Sequence, residues 1–379
     1  MQILNSIADM RALASRRVPR AIFDYADRGS YDELTLRRNR ADLDALQLRQ
    51  RVAVDVANIV TASSMMGQAC ALPLGIAPTA LAGLFHRDGE ICGARAAAAA
   101  GVPFCLSTVS ICSIEDVSGA SATPFWFQLY LMRNRAFNED LIGRAQAARC
   151  PVLLLTLDLP VLGLRRRDAK NGLSVPPRLT PRNALDIASK PAWALGMLRA
   201  RRRTFGNLEG RLTAPAGVKS LASWLSEQAY PQANWKDVAW VRAQWPGKLV
   251  IKGILEPEDA CQAVDLGADA IVVSNHGGRQ LDGAPSTISA LPRIVAAVRG
   301  RCEVLFDGGI MSGQDVFKAL ACGAHGCLMG KAFLYSLGAR GEAGVRLALE
   351  IIRQELAVSM ALAGVADVRD IDSRTLWQA

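Results

Sequence analysis

Eight short apolar runs, each breaking off in polar or glycine residues, constrain this chain more than any other feature. The breaks fall near Ala77-Pro78-Thr79, Leu106-Ser107-Thr108, Phe127-Gln128-Leu129-Tyr130, Thr156-Leu157-Asp158, Ile251-Lys252-Gly253, Ser274-Asn275-His276, Phe306-Asp307-Gly308-Gly309 and Met329-Gly330-Lys331. Runs of this kind read as buried strands. Most are separated by Ala- and Arg-rich stretches with helical spacing, at 87–101, 134–149, 257–267, 286–299 and 313–323. Strands alternating with helices pair in parallel through βαβ crossovers. Eight such units with polar groups at their carboxyl ends predict a (β/α)8 TIM barrel. A doubly wound sheet would need a Gly-rich phosphate loop after the first strand, and Gly75-Ile76-Ala77-Pro78-Thr79-Ala80 is not one. The expectation is one domain, 1–379, with the barrel over about 70–365 and a long insertion after the fourth strand, about 171–247.

The sixth break carries the most chemistry. Ala270-Ile271-Val272-Val273 runs into Ser274-Asn275-His276-Gly277-Gly278-Arg279-Gln280-Leu281-Asp282. His276 can move a proton near neutral pH, and Arg279 offers a planar fork that grips a carboxylate. Gly277 and Gly278 allow close approach of backbone to a ligand. A base beside a carboxylate clamp suits chemistry at the carbon α to a carboxylate.

Half the residues are apolar, enough for a large core. The nine cysteines show no CxxC or regular pairing and read as buried free thiols of a reducing compartment. No signal peptide is evident, and no stretch of about 18 apolar residues would span a membrane. The net charge is +9, and its distribution matters more than its size. Seven basic residues (Arg178, Arg182, Lys190, Arg199, Arg201, Arg202, Arg203) face one acid, Asp186, across about 178–203, interleaved with Leu185, Ile187, Trp193, Leu195, Met197 and Leu198. A basic amphipathic stretch of this kind suits an anionic membrane surface; the alternative is a solvated loop packing its few apolar residues on the barrel. Sparse aromatics and the lack of a binding motif argue against nucleic acid.

Four phrases carry a resemblance: Ser-Thr-Val-Ser-Ile-Cys-Ser-Ile-Glu-Asp (107–116), Trp-Phe-Gln-Leu-Tyr (126–130), Ile-Lys-Gly-Ile-Leu-Glu-Pro-Glu-Asp-Ala (251–260) and Val-Ser-Asn-His-Gly-Gly-Arg-Gln-Leu-Asp-Gly (273–283). Through them the chain resembles the FMN-dependent L-2-hydroxy-acid oxidase and dehydrogenase family, nearest its bacterial quinone-linked L-lactate branch. The resemblance implies FMN as cofactor and no metal. It makes His276 the base, held by Asp158, and Arg165 and Arg279 the binders of the substrate carboxylate. Tyr25 and Tyr130 would hydrogen-bond the substrate. Lys252 would stand by the flavin edge where negative charge gathers. Thr79, Ser107, Gln128, Thr156 and Ser274 would bond the ring, with the backbone of Pro78 and Ala80 facing it. The phosphate would rest on Asp307, Gly308, Gly309, Gly330 and Lys331. His86 and His325 receive no role.

The same resemblance implies oxidation of a small L-2-hydroxy acid, L-lactate first, to the 2-oxo acid. Electrons would pass to membrane quinone at the cytoplasmic side of the inner membrane, with the chain bound peripherally as a homo-oligomer. The alternatives are an oxidase that reduces O₂ to H₂O₂, a mandelate-type dehydrogenase, with Val109 where some relatives hold a larger aromatic, and a non-catalytic flavin- or phosphate-binding barrel. Two residues depart from the family pattern. Met311 stands where an arginine follows the Asp-Gly-Gly turn, and Lys331 replaces a second arginine. Loss of one charge-assisted contact, about 1.5–3 kcal/mol, predicts weaker FMN binding than is usual.

Overall fold

Each of the eight apolar runs becomes a short parallel strand buried on both faces, as an unbroken apolar run requires. The computed structural model describes residues 3–171, 181–209 and 230–377. Helices α1 (Ile7–Arg17), α2 (Arg20–Asp27) and α3 (Leu34–Ala45) come first, followed by an antiparallel hairpin of β1 (Ser63–Met65) and β2 (Gln68–Cys70). The barrel strands are β3 (Leu74–Ile76), β4 (Cys105–Ser107), β5 (Trp126–Tyr130), β6 (Val152–Thr156), β7 (Lys248–Ile254), β8 (Ala270–Val273), β9 (Glu303–Phe306) and β10 (Gly326–Met329). They pair in sequence order from β4 to β10, and β10 returns to β3. A parallel bridge between Ile76 and Phe104 links β3 to β4, so the ring closes. The (β/α)8 expectation is met.

The helices between strands, Gly89–Ala100, Arg135–Ala147, Pro257–Asp265, Thr287–Val298 and Gly313–Ala321, fall within the stretches predicted from spacing. Several start on a residue whose side chain accepts a first-turn N–H: Ser113, Asn134, Asn234, Ser286 and Ser312. The long helix Lys331–Ala363 bends at Arg340 and Gly341 and packs against α1.

Period-two alternation sorts the strand residues. Ala77, Cys105, Trp126, Val152, Leu154, Val250, Ala270, Val272, Leu305 and Leu328 fill the barrel interior, while Leu153, Leu155, Leu249, Ile251, Ile271 and Val273 face the helices. The β1–β2 hairpin plugs the amino-terminal end. Met65, Met66 and Cys70 join the interior cluster, Met66 N–H donates to Glu303 (2.9 Å), and Trp126 Nε1 donates to Gln68 (3.1 Å). The other end is left for function.

Residues 181–209 of the expected insertion lie on that open rim, with the helices Pro181–Ala188 and Pro191–Leu198, whereas Trp235–Gln244 at its far end is the helix that leads into β7. Trp193 Nε1 donates to the Leu84 carbonyl (2.7 Å), Arg201 N–H to Asp88 (3.0 Å), and the buried Asn207 amide to the Ser107 and Thr108 carbonyls (3.3 and 3.2 Å). Trp193 therefore packs inward, and the exposed apolar residues are Leu185, Leu195 and Leu198. Arg178 and the side chain of Arg182 lie outside the described residues. All nine cysteines are free thiols, six buried and three partly so. Among the described residues no helix is long and apolar enough to cross a membrane.

Candidate active site

The polar ring at the open end follows from the same alternation. Thr79, Ser107, Gln128, Thr156, Lys252, Ser274, Asp307 and Gly330 each lie two residues beyond a member of the interior cluster. Each therefore occupies the inward-facing side of its strand or strand end, as the top layer of the barrel interior. Above this layer a cavity is lined by Tyr25, Tyr130, Arg165, His276, Arg279 and Lys331, with Pro78, Thr79, Ala80, Lys252, Asp307, Gly308, Gly309 and Gly330 along its floor and side. Ser107, Gln128 and Ser274 are buried just beneath, and Asp158 stands behind His276.

His276 sits in a strained turn. His276, Gly277 and Gly278 take φ of 58°, 65° and 72°, three consecutive left-handed residues. A non-glycine residue there costs on the order of 1 kcal/mol or more. The turn is held from inside: His276 N–H donates to Ser274 Oγ (3.1 Å), and Gly278 N–H to Asn275 Oδ1 (3.1 Å). Gly278 is needed for protein packing rather than for a ligand, since a Cβ there would lie 2.5 Å from the Leu36 nitrogen. A Cβ on Gly277 would meet only Lys331 Cε, at 3.8 Å.

The imidazole is paired closely on one edge and only loosely on the other. Asp158 Oδ1 lies 2.9 Å from His276 Nδ1. Burial alone would raise the Asp158 pKa, but His276 and Lys252 outweigh it and hold the carboxylate below its usual range. An ionised carboxylate accepts only, so Nδ1 carries the proton and Nε2 presents a lone pair. The Tyr130 hydroxyl stands 3.5 Å from Nε2, and burial pushes that phenol up, keeping it a neutral donor. For His276 itself, burial lowers the pKa, Asp158 partly opposes this, and Lys252 adds to the fall. The imidazole is therefore neutral at pH 7 and competent as a base.

Lys252 lies under this pair. Its ammonium donates to Ser274 Oγ (2.8 Å) and stands 3.4 Å from Asp307 and 3.9 Å from Asp158. Burial would discharge it, but Asp307 and Asp158 keep it charged.

Two guanidiniums face the cavity mouth. Arg165 donates to the Arg279 carbonyl (3.2 Å) and to Gln280 (3.3 Å), and Arg279 donates to the carbonyls of Tyr25 and Arg28 over the Tyr25 ring. Among the described residues, neither forms a salt bridge, and Arg279 Nη2 is buried with no partner. Burial and the nearby Arg279 charge pull Arg165 down to about 10. Two like charges in one buried space call for an anion.

The residues fit the flavin implied by the sequence. Gln128 Oε1 accepts from Ser107 Oγ (3.1 Å) and Thr108 N–H (3.3 Å), which leaves its amide Nε2 buried and unpaired. Thr156 Oγ1 and Asp307 Oδ1 are likewise buried without partners. Orphaned polar groups of this kind, Asp307 on the cavity wall and Gln128 and Thr156 in the layer beneath, match the hydrogen-bonding edge of a planar heterocycle. At the other end of the cavity Gly308 and Gly309 take φ of 99° and 147° beside Gly330. Lys331 lines this end, but its ammonium donates to the carbonyls of Ala26 (2.6 Å) and Asp27 (3.0 Å) at the end of α2. Burial and the Arg279 charge pull it down to about 7.

Reading strand ends does not reach the cavity wall built by α3. Leu36, Asn39 and Arg40 line the cavity, and Asn39 exchanges two amide hydrogen bonds with Asn275 (2.9 and 2.7 Å). Leu159, Leu162, Ile310 and Leu334 complete the apolar wall with Val109 and Met311. The mixed apolar and Arg pattern of 34–45 carries no strand-end signal, so only helical spacing could have exposed it.

Comparison with known proteins bears on this geometry. The family model described as FMN-dependent dehydrogenase matches residues 14–378. The chain is 50% identical over 376 residues to an L-lactate dehydrogenase of Caulobacter vibrioides, covering 99% of this chain and 98% of that one. It is 46% identical to an L-lactate dehydrogenase of Pseudomonas aeruginosa, with the same coverage. A crystal structure of the monotopic membrane protein (S)-mandelate dehydrogenase superposes over the full length of both chains, at a TM-score of 0.93 and 35% identity. A mandelate oxidase structure matches with a TM-score of 0.85 and 39% identity over 99% of this chain and 98% of that one.

Proposed function

Since the chain belongs to the FMN-dependent dehydrogenase family, we propose that it oxidises a small L-2-hydroxy acid, L-lactate first, to the 2-oxo acid and passes the electrons to a membrane quinone. One observation carries the substrate reading. A neutral imidazole whose Nε2 meets only the Tyr130 hydroxyl, at 3.5 Å, faces the same cavity as two guanidiniums, one of them buried with an unpaired donor.

Arg165 and Arg279 hold the substrate carboxylate, with Tyr25 beside them. Bidentate charge-assisted contacts fix orientation as well as affinity. His276 Nε2 accepts a proton from the substrate, and Asp158 stabilises the imidazolium that results. The same residues serve whether the α-hydrogen departs with its electron pair or as a proton. Tyr130, held neutral by burial, donates to the oxygen that becomes the carbonyl. Bound FMN supplies the two-electron acceptor. Lys252, kept charged by Asp307 and Asp158, places a positive charge beside the ring-binding layer, where it favours reduction. Ser107, Gln128, Thr156 and Ser274 would hold the ring by hydrogen bonds.

The quinone reading rests on the insertion. Lys190 and Arg199 flank Leu195 and Leu198, which are exposed, and Leu185 is exposed on the neighbouring helix. Apolar residues set among cations on one rim suit an anionic bilayer surface, and the mandelate dehydrogenase of similar fold is a monotopic membrane protein. The catalytic reading is tested by anaerobic stopped-flow bleaching of the bound flavin with L-lactate, D-lactate and L-mandelate. Fast bleaching by one L-acid is expected; a flavin that stays oxidised with all three refutes it. Bleaching fastest with L-mandelate would move the substrate to an aryl acid, with Val109 opening the space. Stoichiometric peroxide with rapid turnover in air would replace quinone by O₂ as acceptor.

A further inference from the structure

We propose that Arg40 of α3 supplies the side-chain cation of the FMN phosphate site, in the place left by Met311. This inference rests on the FMN assignment and on the phosphate lying at the Gly308–Gly309 and Gly330 end of the cavity. The family pattern puts an arginine at 311, and here the Met311 side chain packs against the apolar core. The other expected cation, Lys331, spends its donors on the carbonyls of Ala26 and Asp27. The diglycine end of the cavity would then have backbone groups alone.

Arg40 reaches that end from a different element. It lines the cavity together with Asn39, Gly308, Gly309 and Met311, and its Nη1 lies 3.3 Å from the Gly309 carbonyl. Its η nitrogens are clamped by Asp315 (2.9 and 2.7 Å) and Asp44 (2.7 Å). The Nε–H is buried and has no partner. A guanidinium anchored by two carboxylates and left with one unspent buried donor is fixed in place, with that donor available to a ligand. The anchoring continues into the loop, since Asp315 also accepts from Met311 N–H (2.9 Å). The approach itself depends on glycine: a Cβ on Gly309 would sit 2.7 Å from Leu43 and 3.4 Å from the Asn39 carbonyl, both on α3. Relocating the cation to α3 keeps a charge-assisted donor at the site and leaves position 311 free to be apolar.

The phosphate distinguishes FMN from riboflavin, so the ratio of their affinities isolates the inference. Both flavins are titrated into apoprotein prepared by stripping the holoenzyme, following quenching of flavin fluorescence. Arg40→Met combined with Asp315→Asn, which avoids stranding a buried carboxylate, should weaken FMN about ten- to a hundredfold and leave riboflavin unchanged. Arg40→Lys, the variant least disruptive of folding, should lose FMN preference in part. Adding Met311→Arg to the double variant should restore it. Equal weakening of both flavins, or no change in either, overturns the assignment to Arg40. Wild-type apoprotein that binds riboflavin as tightly as FMN overturns the phosphate placement, and wild-type protein that binds neither overturns the FMN assignment itself.

Discussion

Replacing Asp158 by Asn removes one charge from the centre of the site and almost no volume. Its Oδ1 lies 2.9 Å from His276 Nδ1 and its Oδ2 lies 3.9 Å from Lys252. A hydrogen bond to a charged group contributes about 1.5–3 kcal/mol, and that stabilisation is greatest once His276 has taken its proton. At 1.36 kcal/mol per decade, flavin reduction should slow roughly ten- to a hundredfold, and further if the amide donates to Nδ1 and holds the wrong tautomer. The pH profile should move as well. Asp158 raises the His276 pKa against burial and Lys252. Without it that pKa falls, so the acid limb of the reduction rate shifts to lower pH while the plateau drops. Lys252 keeps Asp307 at 3.4 Å, so the flavin should be retained. The assay is anaerobic stopped-flow flavin reduction from about pH 5 to 9, with bound flavin checked by absorbance. An unchanged plateau, or a drop with the acid limb moving upward, would refute this account of the pair.

Other perturbations test the surrounding structure. His276→Gln should abolish flavin reduction while the flavin stays bound; a normal rate by stopped flow would remove His276 from the chemistry. Gly278→Ala combines a φ of 72° with a clash against Leu36, so it should lower the melting temperature and loosen α3, read by calorimetry and hydrogen exchange over 34–45. Asp27 is buried against Arg11 (2.6 and 2.9 Å) and Tyr335 (2.9 Å), which hold its pKa below the ordinary value despite burial. A depressed folded pKa contributes stability above pH 3.8 that is lost as pH falls, so Asp27→Asn should destabilise the protein by about 1.5–3 kcal/mol at pH 7 and by less as the denaturation series goes more acidic. Binding to vesicles rich in anionic lipid should weaken with salt and with Lys190→Ser plus Arg199→Ser, by about 1 kcal/mol per charge in a flotation assay.

The barrel was legible because its strands carry two signals at once, an apolar run and a polar stop. Gln128, Thr156, Lys252 and Asp307 were reached through the family resemblance, and the structure supplies the reason they share one layer, each lying two residues beyond a member of the barrel interior. His276 and Arg279 announced themselves by chemistry. What the sequence hid were features fixed by tertiary approach. Trp193 reads as a membrane-facing aromatic in a basic stretch, yet its indole is satisfied by Leu84. Gly278 reads as room for a ligand but makes room for Leu36. Arg40 lies in an amphipathic helix with several arginines, and only its proximity to Gly309 sets it apart.

The amide pair between Asn39 and Asn275 spans 236 residues of chain, and the Arg40 contact to Gly309 spans 269. Synthesis runs from the amino terminus, so α3 emerges long before the loops it must cover. Its apolar side has no native partner until β8 and β9 have left the ribosome, and β3 cannot complete its pairing until β10 has followed. A nascent chain therefore has no finished pocket to offer a cofactor. The pocket lining is complete only once Lys331 and Leu334 have been made, so cofactor loading should follow synthesis of nearly the whole barrel.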